Sequence, residues 1–387
     1  MKQKLHILPI IILSQFACTS TWFAGNAIIE SLTKKLDFGG EIVSYVISSV
    51  QFGFIMGTLI FGILMIADRF SPSKVFMVCA CLAAMSNVSL ILPQLNVTGL
   101  LMARFGTGFF LAGIYPVGMK IAADYYEKGL GKALGFLVGA LVLGTAFPFL
   151  IKGTTWASHP DSVIKLTSGI TVLGGFLLFF LIPNGPYRVA STSLQLNAGP
   201  RLFKNYYFKK AAFGYFGHMW ELYAFWAFTP IAIQWFALKS GNDISVFLWT
   251  GIVIALGGFS CAYGGILSQR AGSKKVALVV LIASGFFCFI SPLLFSLPVY
   301  FFLAGWCLWG IAVTADSPQF SNLVASAVSP ELKGTALTLV NCIGYAITIL
   351  SIQLLGSLQA IIPIDQLFIT LGIGPLIGVY YLIQKKV

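Results

Sequence analysis

Long, nearly uncharged apolar stretches recur along the whole chain. Such a stretch can form a bilayer-crossing helix, which needs about 20 mostly apolar residues and satisfies every backbone N–H and C=O within itself. A dozen of them tile the sequence, at approximately 6–31, 42–67, 75–94, 98–124, 132–152, 166–183, 209–238, 245–268, 275–296, 299–328, 334–359 and 364–384. They are numbered spans one to twelve. Their continuous character, without period-two alternation, points to an all-α integral membrane protein with 12 transmembrane helices and away from a transmembrane barrel. With 58% hydrophobic and only 9% charged residues in 387, and a mean hydropathy of +0.89, the chain cannot hide its apolar side chains in one water-soluble core. Lys2 and Lys4 precede span one as they would a secretory signal, but the apolar stretch runs on to Ile29 and no soluble domain follows, so a membrane span is expected.

Orientation follows from the basic residues, which are retained on the cytoplasmic side. The two ends (Lys2, Lys4, Lys385, Lys386) and the even-to-odd connections (Arg69, Lys74, Lys128, Arg188, Arg201, Arg270, Lys274, Lys275 and Lys333 among them) carry most of the positive charge. The opposite connections hold only Lys34, Lys35, Lys152, Lys165 and Lys239. Both termini are therefore expected to be cytoplasmic. The net charge of +12 is accounted for by topology, with anionic lipid as its partner rather than nucleic acid.

The longest polar interruption is residues 184–208, a cytoplasmic linker between a six-helix half at 1–183 and a second at 209–387. Internal similarity supports the division. "ADRFSPSKVF" (67–76) follows span two and "SQRAGSKKVAL" (268–278) follows span eight; "YYEKGLGKALGFLVG" (125–139) enters span five and "SPELKGTALTLVNCIG" (329–344) enters span eleven. Both pairs are separated by about 200 residues, as an ancient duplication requires, and duplicated helical halves around a midplane site are a common transporter plan.

"GGILSQRAGSKK" (264–275) closely resembles the signature after the eighth helix of the major facilitator superfamily (MFS). "GILMIADRFSPSK" (62–74) resembles a degraded first-half copy, with Ser71 and Pro72 where a glycine-containing turn usually stands. "ARFGTG" (103–108) resembles the R-x-x-x-G motif of the fourth helix. The resemblance covers the whole chain. It implies two pseudo-symmetric halves, alternating access, and a cytoplasmic gate formed by Asp68, Arg69 and Asp124 in the first half with Gln269, Arg270 and Lys274 in the second. It also implies that spans one, four, seven and ten line a central cavity. Trp22, Asn26, Tyr115, Trp220, Tyr223, Gln319 and Asn322 are then the substrate contacts, with Arg104 available to an anionic group.

Ionisable groups inside a span are costly and mark functional sites. Glu221 and Asp316 sit deepest. In "GYFGHMWELYAFWAF" (214–228) the i, i+3 step from His218 to Glu221 lets imidazole and carboxylate touch, a pair able to take and release a proton near neutral pH. Glu221 with His218 is thus expected to be the proton-coupling site. In "VTADSPQFSN" (313–322), Pro318 interrupts span ten, and Asp316 is a second titrating group, a counter-charge for a cationic substrate, or a helix N-cap after the break. Its repeat counterpart is Tyr115, beside Pro116.

An enzyme is not expected. The three histidines lie in separate segments, no phosphate-cradling glycine loop occurs, and no cofactor or metal site is indicated. All seven cysteines fall within spans and read as small buried apolar residues. Without a nucleotide motif the energy must come from an ion gradient. The expectation is a secondary transporter, working as a monomer in the inner membrane of a bacterium, for a small, partly apolar organic solute. Span five, "GFLVGALVLGTAFPFL" (135–150), lacks the Gly-Pro pair that resemblance would require of a drug–proton antiporter, which places import by proton symport ahead of proton-driven efflux of drugs or metabolites. An organic anion or a metal chelate is a narrower alternative, and a non-transporting receptor is disfavoured.

Overall fold

The computed structural model describes residues 6–37, 42–126, 130–154, 159–188 and 194–384. Lys2, Lys4, Lys128, Lys385 and Lys386, which carry part of the charge argument, lie outside the described residues. The described residues contain helices and no strands. Ten helices, from Ile42–Ile63 through Ile364–Ile383, are long and apolar enough to cross a membrane, and Ile7–Thr19 is a shorter apolar helix.

Two expected spans depart from that pattern. Span seven is one 35-residue helix, Tyr206–Ser240, that is not among those ten and carries His218 and Glu221 in its middle. Span one is in pieces: Ile7–Thr19, Ala24–Ala27 and Ile29–Leu36. Its hydroxyl residues bond back to the chain that precedes them, Ser20 Oγ to the Ala17 carbonyl at 2.7 Å and Thr21 Oγ1 to the Cys18 carbonyl at 3.1 Å. Such side-chain bonds compete with the helical ladder and help it to stop there.

Spans four and ten are broken at matching places. Span four runs as Val97–Leu111 and Tyr115–Tyr125, and span ten as Val299–Ala315 and Ser317–Ser326. Pro116 and Pro318 each sit in the first turn of the second piece. There a missing N–H costs nothing, while the restriction on the preceding residue favours an interruption.

The chain separates into two compact units, Met1–Ser193 and Leu194–Val387. Within the first, spans two and four cross backbone to backbone. A Cβ added at Gly108 would lie 1.9 Å from the Val50 carbonyl oxygen, and one at Gly53 would lie 2.0 Å from that of Phe105. The second unit has the corresponding crossing of spans eight and ten, where a Cβ at Gly310 would meet the Val253 carbonyl oxygen at 2.5 Å. Lipid gives helices no hydrophobic reason to associate, so close backbone approach through small residues supplies the packing. The second unit also buries an aromatic cluster: Phe236 stacks on Phe302 at 3.9 Å, and Trp306 and Trp309 lie 5.2 Å apart with Phe225 4.7 Å from Trp309.

Candidate functional site

Glu221 is fully buried halfway along span seven of the second unit. Three side chains from spans nine and ten close around its carboxylate. Trp309 Nε1 donates to Oε1 at 2.6 Å, Cys288 Sγ donates to the same oxygen at 3.4 Å, and Ser284 Oγ donates to Oε2 at 2.9 Å. Ser284 and Cys288 are four residues apart on Ser273–Leu294 and so share a face, while Trp309 is held among Phe225, Trp306 and Phe368. A carboxylate in an apolar interior needs this kind of donor set, because an unpaired buried charge costs far more than the bonds that satisfy it.

Among the described residues no hydrogen bond or ion pair joins His218 to Glu221, although the spacing allowed one. His218 Nδ1 lies 2.8 Å from Asp316 Oδ1, and its Nε2 is 2.9 Å from Ser317 Oγ. The i, i+3 relation allowed contact, but the break in span ten brings Asp316 and Ser317 to the imidazole, and the Trp309, Ser284 and Cys288 donors occupy the Glu221 carboxylate. Asp316 does stand at the N-cap position of Ser317–Ser326, yet its side chain makes no capping bond. It is fully buried, and His218 is its only side-chain partner among the described residues. The second unit therefore holds two separate buried acidic sites, one caged by neutral donors and one paired with an imidazole.

The other expected contacts fall in several places. Tyr223 and Tyr345, from spans seven and eleven, join hydroxyls at 3.0 Å, and Tyr223 packs edge-on against Trp226. Gln319 is buried and its amide nitrogen has no hydrogen-bond partner among the described residues. Trp220 turns towards span twelve and donates to the Thr370 carbonyl at 3.2 Å. Asn322 is exposed midway along Ser317–Ser326, donating to Ser273 Oγ at 2.8 Å. These last two are placed as helix-to-helix ties rather than in the buried interior beside Asp316.

In the first unit, Arg104 is fully buried and reaches the break in span one. It donates to the carbonyls of Thr21, at 3.2 Å, and of Trp22. These are the acceptors released where Ile7–Thr19 ends, and the guanidinium fork suits two adjacent carbonyls. Gly25 gives it room, since a Cβ there would lie 3.0 Å from Arg104 Cδ and Nε. Trp22, fixed by this break, packs on Phe54 at 4.9 Å. Asn26 Oδ1 and both polar side-chain atoms of Gln51 are buried without hydrogen-bond partners among the described residues. Tyr115 begins the second piece of span four and is half-buried.

Of the expected gate residues, Asp68 is ion-paired with Lys120. The segment just after span six is laced onto this corner. Arg188 donates to the carbonyls of Asp68 and Phe70 at 2.9 and 3.0 Å, and the Tyr187 amide donates to the carbonyl of buried Asp124 at 3.0 Å. Arg69 is exposed, as are Gln269, Arg270 and Lys274 in the second unit.

Ser284, Cys288, Trp309 and Ser317 escaped the sequence reading. Each is a residue that commonly packs in a helical core, and only Ser284 and Cys288, one helical turn apart on span nine, left a periodic trace.

Comparison with known proteins agrees with this architecture. The chain is 23% identical over 380 residues to the "Bicyclomycin resistance protein homolog" of Haemophilus influenzae, covering 92% of this chain and 90% of that protein. It also shares the fold of a crystal structure of a bacterial homologue of the human lysosomal transporter Spinster, in an inward-facing and occupied conformation. That likeness has a TM-score of 0.69 and 14% identity, and covers 99% of this chain and 96% of the other. The family model of the Major Facilitator Superfamily matches residues 10–382. The chain therefore belongs to the Major Facilitator Superfamily, a family of multi-pass membrane transporters rather than a class of enzymes.

Proposed function

We propose that the protein exports a partly apolar organic solute across a bacterial inner membrane in exchange for protons, with Glu221 as the coupling proton site. The observation that carries the coupling is the Glu221 cage: a carboxyl group buried in a membrane helix and bonded by Trp309, Ser284 and Cys288, with no basic partner among the described residues. Such a group holds a proton in one access state and releases it when the site is rewetted. Asp316, paired with His218, is the second acidic element, at the break in span ten, where a substrate amine would find a counter-charge. Export rests on the resistance named for the Haemophilus influenzae relative, since removal of a drug is one route to resistance. Import by symport rested on the missing Gly-Pro pair of span five, and it gives way to export. In this reading twelve spans in two halves, with both termini cytoplasmic, rock about a midplane site, and the Asp68, Arg69, Asp124, Gln269, Arg270 and Lys274 corners latch it.

Reconstitution into liposomes tests the reading. With bicyclomycin and a lipophilic organic cation as probes, an imposed pH gradient should drive each substrate against the proton flow. Glu221→Gln should retain downhill exchange and lose gradient-driven accumulation. Accumulation in the direction of proton flow would restore symport; full coupling in the variant would remove Glu221 from the mechanism.

A further inference from the structure

We propose that Ser284 is the two-way hydrogen-bond partner that lets Glu221 gain and lose its proton without repacking its cage. The proposal rests on Glu221 as the coupling site and identifies the oxygen that carries the proton. Oε1 is closed to it. An indole nitrogen can only donate, and Trp309 Nε1 points its hydrogen at Oε1 from 2.6 Å, with the ring fixed between Phe225 and Trp306. A proton on Oε1 would face that N–H, with the Cys288 thiol on the same oxygen.

Oε2 faces Ser284 Oγ, 2.9 Å away. The same Oγ lies 3.2 Å from the Leu281 carbonyl, one turn back on span nine. A hydroxyl has one hydrogen and two lone pairs, so both arrangements are open to it. When Glu221 is ionised, Ser284 donates to Oε2. When Oε2 is protonated, it donates to Ser284 Oγ, and the serine hydrogen turns to the Leu281 carbonyl. One rotation about the Cβ–Oγ bond thus accommodates the proton that Oε2 takes from water, or returns to it, when the site is rewetted, and no heavy atom of the cage moves.

The titratable groups packed around Glu221 have partners of their own, and Asp316 is near enough to act on it as a like charge. Span nine brings Cys288, already on Oε1. The break of span ten brings Asp316, held by His218 from span seven itself. Cys261 of span eight donates to the Thr314 carbonyl at 3.1 Å, and Tyr345 of span eleven is engaged with Tyr223. Span twelve meets span seven at Gly374 and Gly217, and its Tyr381 stacks on Phe213, well away from Glu221. Ser284 is therefore a positioning residue for the proton, acting through Glu221.

Infrared difference spectroscopy of the full-length protein in lipid nanodiscs, stepped in pH, reads the switch directly. The protonated-carboxyl C=O band that is lost in Glu221→Gln belongs to Glu221. That band should shift in Ser284→Ala, where the acid O–H has lost its acceptor, and return to its wild-type position in Ser284→Thr. Should Ser284→Ala not purify, Ser284→Cys, with a weak thiol partner in the same place, carries the same expectation. A Glu221 band unmoved by Ser284→Ala overturns the role of Ser284 alone. If no band disappears in Glu221→Gln at any pH, Glu221 never holds a proton and the coupling reading falls with it.

Discussion

Substituting Gly108 by Ala tests the packing that places Arg104. The added Cβ would lie 1.9 Å from the Val50 carbonyl oxygen, 2.8 Å from its carbonyl carbon and 3.0 Å from the Phe54 nitrogen. All three are backbone atoms, so no rotamer change relieves the clash. A relaxed C···O contact is about 3.3 Å, so spans two and four must part by about 1.4 Å. A radial gap of that size forfeits half or more of each dispersion contact along the crossing. Overpacking of this kind costs about 3 kcal/mol, which in a unit of this size lowers Tm by roughly 6–12 °C. Gly310→Ala, at 2.5 Å from the Val253 carbonyl oxygen, should fall less. Gly169→Ala, with nothing within 4 Å of the new Cβ, should match wild type. Fluorescence-detected size-exclusion after graded heating measures all three in detergent. Equal stability of the Gly108 and Gly169 variants would refute the backbone-contact argument. Gly108 lies one turn from Arg104 on the same helix face, so its variant should also lose transport in the folded fraction.

Trp309→Phe keeps the aromatic packing but removes the strongest donor to Glu221 Oε1; a loss of about 1–3 kcal/mol and weakened gradient-driven transport are expected in thermal-stability and proteoliposome assays. His218→Ala leaves Asp316 buried without its imidazole and should cost about 3–5 kcal/mol, whereas adding Asp316→Asn should recover part of that loss. A double-mutant cycle on apparent stability checks it, and strict additivity would mean that the pair is not coupled. Arg104→Lys retains the charge but cannot fork to the carbonyls of both Thr21 and Trp22, so stability should drop by about 1–3 kcal/mol with transport impaired. A lysine variant as stable and active as wild type would show that charge alone suffices.

The helical membrane architecture was legible because apolar run length is a one-dimensional property: a bilayer demands about 20 apolar residues, and the chain supplies them again and again. Span seven and span one show the limit. The polar residues in them also lower their hydropathy or break their helix, so the ten helices that meet the membrane criterion omit both. Glu221, Asp316, His218 and Arg104 were visible for a similar reason, since ionisable groups stand out in an apolar run. Their partners were not. Helical spacing named His218 for Glu221, but spacing knows only neighbours on one helix, and the contacts that decide come from spans nine and ten.

The sequence by itself determined which segments enter the membrane and which buried groups must be satisfied there, because hydrophobic transfer and charge burial depend on residue type. The duplicated motifs and the R-x-x-x-G motif also carried the family. Tertiary structure alone decided which donor meets which acid. Trp309, Ser284 and Cys288 reach Glu221, and the break at Asp316 turns that residue to His218, because interhelical contacts depend on how helices cross and where they stop. In the second unit such crossings depend on close backbone approach, as at Gly310 against Val253, over long sequence separations where no local pattern records the partner.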